Sequence, residues 1–446
     1  AIHHAKSLGI DVIVTDHHAV PELIPEDVIA LINPKRKDSK YPFSGLAGVG
    51  VAFKLVHALI LENMKREGQH DENEKQLFEV LTSYIDLASL GTVADCMPLI
   101  DENRIITSLG LKQMKVSTTS ALRKYIENLD REIEGDADII GFQIGPRINA
   151  AGRMDSPLKA LHWLLADESR VDDWLDEVEM LNTQRQEIVK ELSEAALLSV
   201  DEESPILFFT HDDLEHGIIG LIAGKLTEAY HRPAIVFCRH TDTQSNELHF
   251  VASCRSPEWC NLVELLDASK DFFVRYGGHR QAAGFTIEAK LLDLFKAHIT
   301  TKFHEKYGNI HALPPKNIIV ECQIAPSEIS FETLTLIDRF RPFGIGNPKP
   351  KFYLENLTIS QVQIIGALKN HLSLSFFELP KIKCLLWNFQ DILGGEPQVG
   401  DIVTPVFSIS KNVWKERESI QIIIDTFIKM ENESENVNCE EYVKDL

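Results

Sequence analysis

The chain has no paired cysteines. Its seven (Cys96, Cys238, Cys254, Cys260, Cys322, Cys384, Cys439) are odd in number, scattered and never spaced as CxxC. That excludes a disulfide framework or thiolate zinc site and fits a reducing, cytoplasmic setting. Long apolar runs are also lacking: none approaches the roughly 20 residues that cross a bilayer, so no membrane role is expected. Positive charge is scarce. With 45 Lys and Arg against 67 Asp and Glu, the net charge is −22, which argues against a protein that coats nucleic acid indiscriminately, because such affinity comes from cations neutralising phosphates. Any nucleic-acid contact must be a local basic groove. Ala1 to Leu8 read as the middle of a helix with no cap, signal peptide or start methionine, so the chain is expected to be cut into at that end.

What is present is enough for several cores. A single core stops growing at about 250 to 300 residues, so 446 residues, 44% of them hydrophobic, predict two or three domains. After the first helix and Gly9, the run Ile10 to Val14 predicts a strand ending in Thr15-Asp16-His17-His18. In open α/β sheets that end of a strand is where ligands bind. Residues 45–63 begin with glycines and become an apolar helix, and residues 75–88 predict a helix leading into Gly91-Thr92-Val93-Ala94-Asp95, a second strand-like approach to a carboxylate. Trp174, Val178, Leu181, Ile188, Val189 and Leu192 recur at helical spacing and predict a long amphipathic helix. A second α/β unit follows, with strands at 206–209 and 234–237 around a helical segment at 217–229. Pro314-Pro315 marks a boundary. Beyond it, alternating runs at 359–364, 372–376, 384–387, 402–409 and 420–424 predict the short strands of a small OB-like barrel. Residues 431–446 are acidic and polar and are expected to be disordered.

Asp16-His17-His18 offers carboxylate and imidazole, donors that suit Mn²⁺ better than a thiolate-seeking metal; the bland reading is a structural strand cap. Asp95, with Asp86 upstream and Asp101 downstream, is a solvated turn if taken alone. Arg147 and Arg153 flank Asn149-Ala150-Ala151-Gly152, where small residues let a ligand approach and two guanidiniums can fork onto phosphate; tight helix packing with exposed arginines is the alternative. Gly277-Gly278-His279 predicts a turn beside Arg275 and Arg280. Around residues 342–350, Arg339, Arg341, Lys349 and Lys351 bracket Phe340, Phe343 and Phe352, a mixture suited to stacking bases or simply to a linker.

Four segments together, TDHH at residues 15–18, DLASLGTVADCMPL at 86–99, GPRINAAGRM at 145–154 and RYGGHRQAAGF at 275–285, resemble the RecJ family within the DHH phosphoesterase superfamily. The resemblance implies an α/β fold: an incomplete DHH-type parallel-sheet domain (1–165), a connecting helix (166–198), a DHHA1 α/β domain (199–310), a C-terminal OB-like β-barrel (316–430) and the acidic tail (431–446). It implies a metal-dependent 5′→3′ exonuclease degrading single-stranded DNA to mononucleotides in DNA repair and recombination, with two Mn²⁺ or Mg²⁺ ions. Catalytic residues would be Asp16, His17, His18 and Asp95, with His17 and Asp95 as metal ligands and Asp86 the alternative to Asp95. Phosphate contacts would come from Arg147, Asn149, Arg153, Gly277, Gly278, His279 and Arg280. Ser253-Cys254-Arg255-Ser256 resembles the family's SGRS segment for a terminal 5′ phosphate, with Cys254 where glycine is usual. His216-Gly217-Ile218-Ile219-Gly220 resembles WHxGVxG, with Glu215 in place of tryptophan, and its glycines open a helix that can bind an anion. Partners would be single-stranded DNA and a single-strand-binding protein or helicase. The family's upstream DxDxDG-like and DNG motifs do not precede Ala1, so this chain is expected to lack part of the two-metal ligand set and to be inactive by itself. The competing functions are a DHH phosphodiesterase of short oligoribonucleotides or cyclic dinucleotides, which needs nothing after Pro315, and a non-catalytic DNA-binding scaffold.

Overall fold

The computed structural model describes residues 1–20, 24, 26–67, 74–129, 137–241, 247–366, 368–393, 395–414 and 417–428. The acidic tail lies outside them. Two compact units account for the chain, one formed by residues 1–97 and 105–317, the other by 98–104 and 318–446.

The first unit opens with helix α1 (Ile2–Ser7) and two parallel strands, β1 (Ile13–Thr15) and β2 (Ala30–Ile32). Helices α2 (Gly48–Arg66), α3 (Glu74–Ala94), α4 (Asp101–Met114), α5 (Ser120–Glu127), α6 (Gly145–Met154) and α7 (Pro157–Leu164) follow, with a π-helical turn at Ile140–Ile144 leading into α6. The segment 91–94, expected to be strand-like, is the last turn of α3. The buried Thr92 satisfies its hydroxyl within the helix by donating it to the Ala88 carbonyl at 2.7 Å. Within α3, Leu77–Ala94 has the length and apolarity of a membrane span (18 residues, mean hydropathy 1.3), contrary to the expectation from the sequence. Here the stretch sends Ile85, Ala88 and Leu90 into the protein core.

The long helix α8 (Val171–Ser199) then joins a five-stranded sheet, β3 (Leu207–Thr210), β4 (Ala234–Thr241), β5 (Leu248–Arg255), β6 (Phe273–His279) and β7 (Ala282–Glu288), in the order β3-β4-β5-β7-β6. Only β3 and β4 run parallel, as befits their crossover through α9 (Ile219–Tyr230). Helices α8 and α9 cover one face with a core of Leu192, Ala196, Ile222, Leu226 and Val236. Helices α10 (Leu262–Asp267) and α11 (Leu292–Tyr307) cover the other, over Phe237, Cys254, Phe285, Phe295 and Phe303.

In the second unit, α12 (Phe331–Asp338) precedes β10 (Leu357–Ile365), β11 (His371–Phe376), β12 (Lys383–Leu386), α13 (Phe389–Leu393), β13 (Ile402–Trp414) and β14 (Arg417–Ile428), while short β8 (Cys322–Gln323) and β9 (Phe352–Tyr353) extend one edge. Pairings β10-β11-β12-β14-β13 close into a ring because β13 also pairs with β10, and β12 runs parallel to β14. A five-stranded ring with one parallel pair and a helix after its third strand is the OB-type arrangement. Of the residues expected to stack bases, Phe343 and Phe352 are buried in this core, Arg341 is tied to Asp338 at 2.7 Å and Lys351 to Asp425 at 3.1 Å. Phe340 alone among the three phenylalanines is exposed.

Candidate active site

Two clusters in the first unit gather most of the residues expected to form a site. The first lies where β1 ends. Asp16 turns back on its own loop, its Oδ1 accepting from the His17 backbone N–H at 2.8 Å, from that of His18 at 3.2 Å and from His18 Nδ1 at 2.7 Å. Burial pushes the Asp16 carboxyl up, and the His18 ring and the two backbone donors outweigh it, leaving the group below the usual carboxylate range. The loop is clamped to β2 by Asp16 N–H on the Ile32 carbonyl at 3.0 Å and by buried Asn33, whose amide donates to the His18 carbonyl at 2.9 Å. His17 points elsewhere. Its Nε2 meets Asp95 Oδ2 at 2.9 Å, and α2 begins close beside the ring because residue 48 is glycine: a Cβ there would lie 3.2 Å from His17 Nδ1. Ligand atoms of Asp16, His17 and His18 all lie within 4.8 Å of one another, so three side chains converge and Asp95 joins through His17.

Asp86 does not belong to this cluster. It is fully buried, its Oδ2 accepts from the Ser117 hydroxyl and its Oδ1 from the Leu87 backbone N–H at 2.7 Å, and burial raises its carboxyl above the usual range. Nine helical positions separate it from Asp95, about 180° around the helix axis. Asp86 therefore faces away from His17, which removes it from the candidate ligands. Asp101 opens α4.

The second cluster is built on β5. Alternation along a strand sends residues 253 and 255 to one face and 254 to the other. Cys254 accordingly sits fully buried in the α10/α11 core, where burial pushes its thiol to about 12. The departure from glycine at this position thus leaves the opposite face untouched. On that face Arg255 Nη1 donates to Ser253 Oγ at 3.2 Å and to the Cys254 carbonyl at 2.8 Å, and α9 starts over both. A Cβ on Gly220 would lie 2.9 Å from Arg255 Nη2 and 3.1 Å from Ser253 Oγ. Ser256 was expected to join them but does not. It is buried past the strand end, donating to the Cys260 carbonyl at 2.9 Å.

GGHRQAAG, expected to be a turn at its glycines, is a hairpin. Gly277, Gly278 and His279 end β6 and pair with Gly284, Ala283 and Ala282 of β7, which pair in turn with Ser253, Cys254 and Arg255. Directly opposed residues share a face. Ser253, Gly284 and Gly277 thus form one row and Arg255, Ala282 and His279 the next, a floor of small residues with Arg255 on one side and exposed His279 two interstrand spacings away, roughly 10 Å. Gly278, at φ +149°, has no room for a side chain, because a Cβ would meet Ala283 Cα at 2.4 Å. Arg280 and His216 are exposed nearby in sequence.

From α6, Arg153 Nη1 donates to the Gly217 carbonyl at 3.0 Å, and Gly217 itself is pressed onto the Arg153 carbonyl, 2.1 Å from where its Cβ would be. Burial lowers the Arg153 guanidinium, and the charge of Arg255 lowers it further. Arg147 is held differently, paired with Glu179 at 2.6 Å and stacked over Tyr125, and Asn149 is exposed. Sequence reasoning missed Arg185 on α8. Burial lowers its guanidinium, and Arg153 and then Arg147 lower it further. Neither Arg153, Arg185 nor Arg255 has a carboxylate partner among the described residues.

Comparison with known proteins agrees domain by domain. Residues 1–92 match the DHH family, N-terminal domain, residues 203–305 the DHHA1 domain and residues 320–426 the RecJ OB domain. The single-stranded-DNA-specific exonuclease RecJ of Bacillus subtilis is 32% identical over 433 residues, 95% of this chain, and that of Escherichia coli 30% identical over 449 residues, again 95% of this chain and 74% of the relative. RecJ of Thermus thermophilus in complex with Mn²⁺ superposes with a TM-score of 0.78 at 26% identity, covering 96% of this chain, and its Mg²⁺ complex with 0.76. The chain spans 52% of the Bacillus relative and 60% of the Thermus Mn²⁺ chain. With three domain matches in order along the chain and relatives at this identity, the chain belongs to the RecJ family of DHH phosphoesterases.

Proposed function

We propose that the protein hydrolyses single-stranded DNA from its 5′ end, releasing mononucleotides. The observation that carries this reading is the convergence of Asp16, His17 and His18 with Asp95 at the mouth of β1. Carboxylate and imidazole without thiolate fit Mn²⁺ or Mg²⁺, the ions bound by the Thermus relatives. His17 and Asp95 would hold such an ion, with Asp16 and His18 beside them. When bound, it supplies a Lewis acid at the scissile phosphate. Asp16 fixes the loop and the ring of His18, and Asp95 fixes the ring of His17. Ser253 and Arg255, beneath the start of α9, offer a hydroxyl, a guanidinium and a helix N-terminus to a terminal phosphate. The small-residue floor lets a sugar-phosphate chain lie close to the sheet, with His279 on its far side. The OB-type second unit favours a polymer over a cyclic dinucleotide, since a short substrate needs no such module.

Digestion of 5′-labelled and 3′-labelled single strands by the natural full-length protein with Mn²⁺ tests it. The 5′ label is expected to appear first as mononucleotide; release beginning at the 3′ label overturns the reading.

A further inference from the structure

Along α8 an apolar stripe runs from one core to the next. Val178 packs with Trp163 and Leu122, Leu181 with Ala151 and Ala160, and, past a gap, Ile188, Val189, Leu192 and Ala196 pack on the β3-β4 side. The gap is filled by Arg185, four residues after Leu181 and three before Ile188, the position that helical spacing reserves for an apolar side chain. Its Nε is buried without a hydrogen-bond partner, as is Oδ1 of Asn182 one turn earlier, and Arg185 makes no hydrogen bond or ion pair with any described residue. Asn182 itself is only 4% exposed.

A guanidinium cannot shed its proton to escape such a place, and the half-buried Arg185 leaves its Nε cut off from solvent with nothing among the described residues to donate to. Arg185 lies on the helix that packs against α6, which carries Arg153 and Arg147; their charges lower its guanidinium, and of the two only Arg147 is neutralised. Nothing in the packing explains a cation here. An anion would explain it.

We infer that Arg185, with Asn182, binds a backbone phosphate of the single strand at the point where α8 passes between the two cores, distinct from the terminal phosphate assigned to Ser253 and Arg255. The inference rests on the proposed single-strand substrate and adds a residue to it. Arg153 lies between the two cations: it is bonded to Gly217, three residues before the Gly220 that covers Arg255, and its helix α6 packs on α8 through Ala151 and Leu181. The order Arg255, Arg153, Arg185 is that of a track followed by successive phosphates, and Arg185 contributes affinity wherever a strand occupies it, whatever its 5′ end carries.

The test uses a 5′-hydroxyl oligothymidylate in EDTA, read by fluorescence anisotropy across a salt series, with thermal unfolding of each variant. Arg185→Gln is expected to weaken binding about tenfold, or about 1.4 kcal/mol, and to reduce the salt slope by about 0.7, the share of one phosphate contact on a single strand. Melting temperature should hold or rise, because an unpaired charge is removed. Arg185→Lys should keep the salt slope. Unchanged affinity in Arg185→Gln, or a lowered melting temperature with an unchanged salt slope, overturns the inference. A melting temperature raised by inorganic phosphate in the parent and not in Arg185→Gln, with equal strand affinity, means a resident free anion and overturns it too. If Arg185→Gln binds as the parent does while the parent still prefers 5′-phosphorylated strands, the proposed function stands and only Arg185 is misassigned; a parent chain without affinity for single strands overturns both.

Discussion

Gly220→Ala separates a glycine kept for the fold from one kept for the site. The new methyl would lie 2.9 Å from Arg255 Nη2, whereas ordinary contact begins at 3.4 Å, so the guanidinium must retreat by about 0.5 Å (3.4 − 2.9). The clash is with the end of a flexible side chain and not with backbone, so folding survives. Replacing glycine inside a helix gains up to about 1 kcal/mol, less at the second position of α9, so the variant should be as stable as the parent or slightly more stable. The site should suffer. A retreat of this size loosens the hold of Ser253 Oγ and the Cys254 carbonyl on Nη1, and the methyl fills the space under the helix N-terminus where a phosphate would rest. A charge-assisted hydrogen bond contributes about 1.5 to 3 kcal/mol; losing most of one should cut the preference for 5′-phosphorylated over 5′-hydroxyl strands by about tenfold. Competition binding of the two strands in EDTA, beside a urea titration, reads both quantities. A more stable variant with its preference intact would refute the terminal-phosphate assignment, since the methyl would then fill space that no ligand uses.

Three further outcomes follow from the same geometry. In the full-length protein, His17→Ala and Asp95→Asn should each lower turnover by at least about 100-fold while strand affinity in EDTA is largely kept; full activity in Asp95→Asn would refute the pairing as functional. Asp86→Asn should keep turnover, and its stability relative to the parent should grow with pH: burial raises the folded carboxyl, so the parent holds its full stability below the unfolded value and loses it as pH rises through the folded one. Urea titrations from pH 4 to 8 showing no such divergence would contradict the burial argument. Cys254→Gly, the substitution toward the family pattern, should cost about 1 to 3 kcal/mol, by emptying a core site and loosening a strand, and leave the 5′-phosphate preference unchanged; a gain in preference would mean that Cys254 disturbs the opposite face.

Much of the fold was legible because its signals are periodic. The alternating runs after Pro315 became the ring strands within a few residues, and the helical stripe from Trp174 to Leu192 became α8. Four-residue segments were not legible. Gly91 to Ala94 carries two β-branched residues and reads as strand, but the preceding turns of α3 decide its conformation. GGHRQAAG reads as a turn by composition, yet its glycines serve strand pairing, Gly278 clearing Ala283 and Gly277 opening the floor. Ser256 was grouped with Ser253 and Arg255 by adjacency, where alternation would have separated it. Asp86 and Asp95 could have been told apart from their nine-residue spacing had the segment been recognised as one helix. Arg185 left one trace: the stripe skips from Leu181 to Ile188, and the residue in between is an arginine.

The net charge of −22 and the proposed DNA substrate are reconciled by distance. At physiological ionic strength charges are screened beyond about 8 Å, so most of the 67 acidic residues, exposed and scattered, do little to a phosphate that has entered the protein. Arg153, Arg185 and Arg255 are half-buried, screened less, and carry no carboxylate of their own among the described residues. A duplex lying on the surface meets the acidic exterior and gains nothing from these three side chains. In the proposed function a strand would have to be thin enough to pass over Gly284 and Gly277, between Arg255 and His279, before their charge became available to it. On the proposed function, acidity outside and unpaired guanidiniums within would act in the same direction: one would remove non-specific attraction, the other return affinity only to a backbone that had been threaded. Raising the salt concentration should therefore weaken binding of the single strand while doing little to the already weak binding of duplex, and the difference between the two salt slopes counts the phosphates held inside.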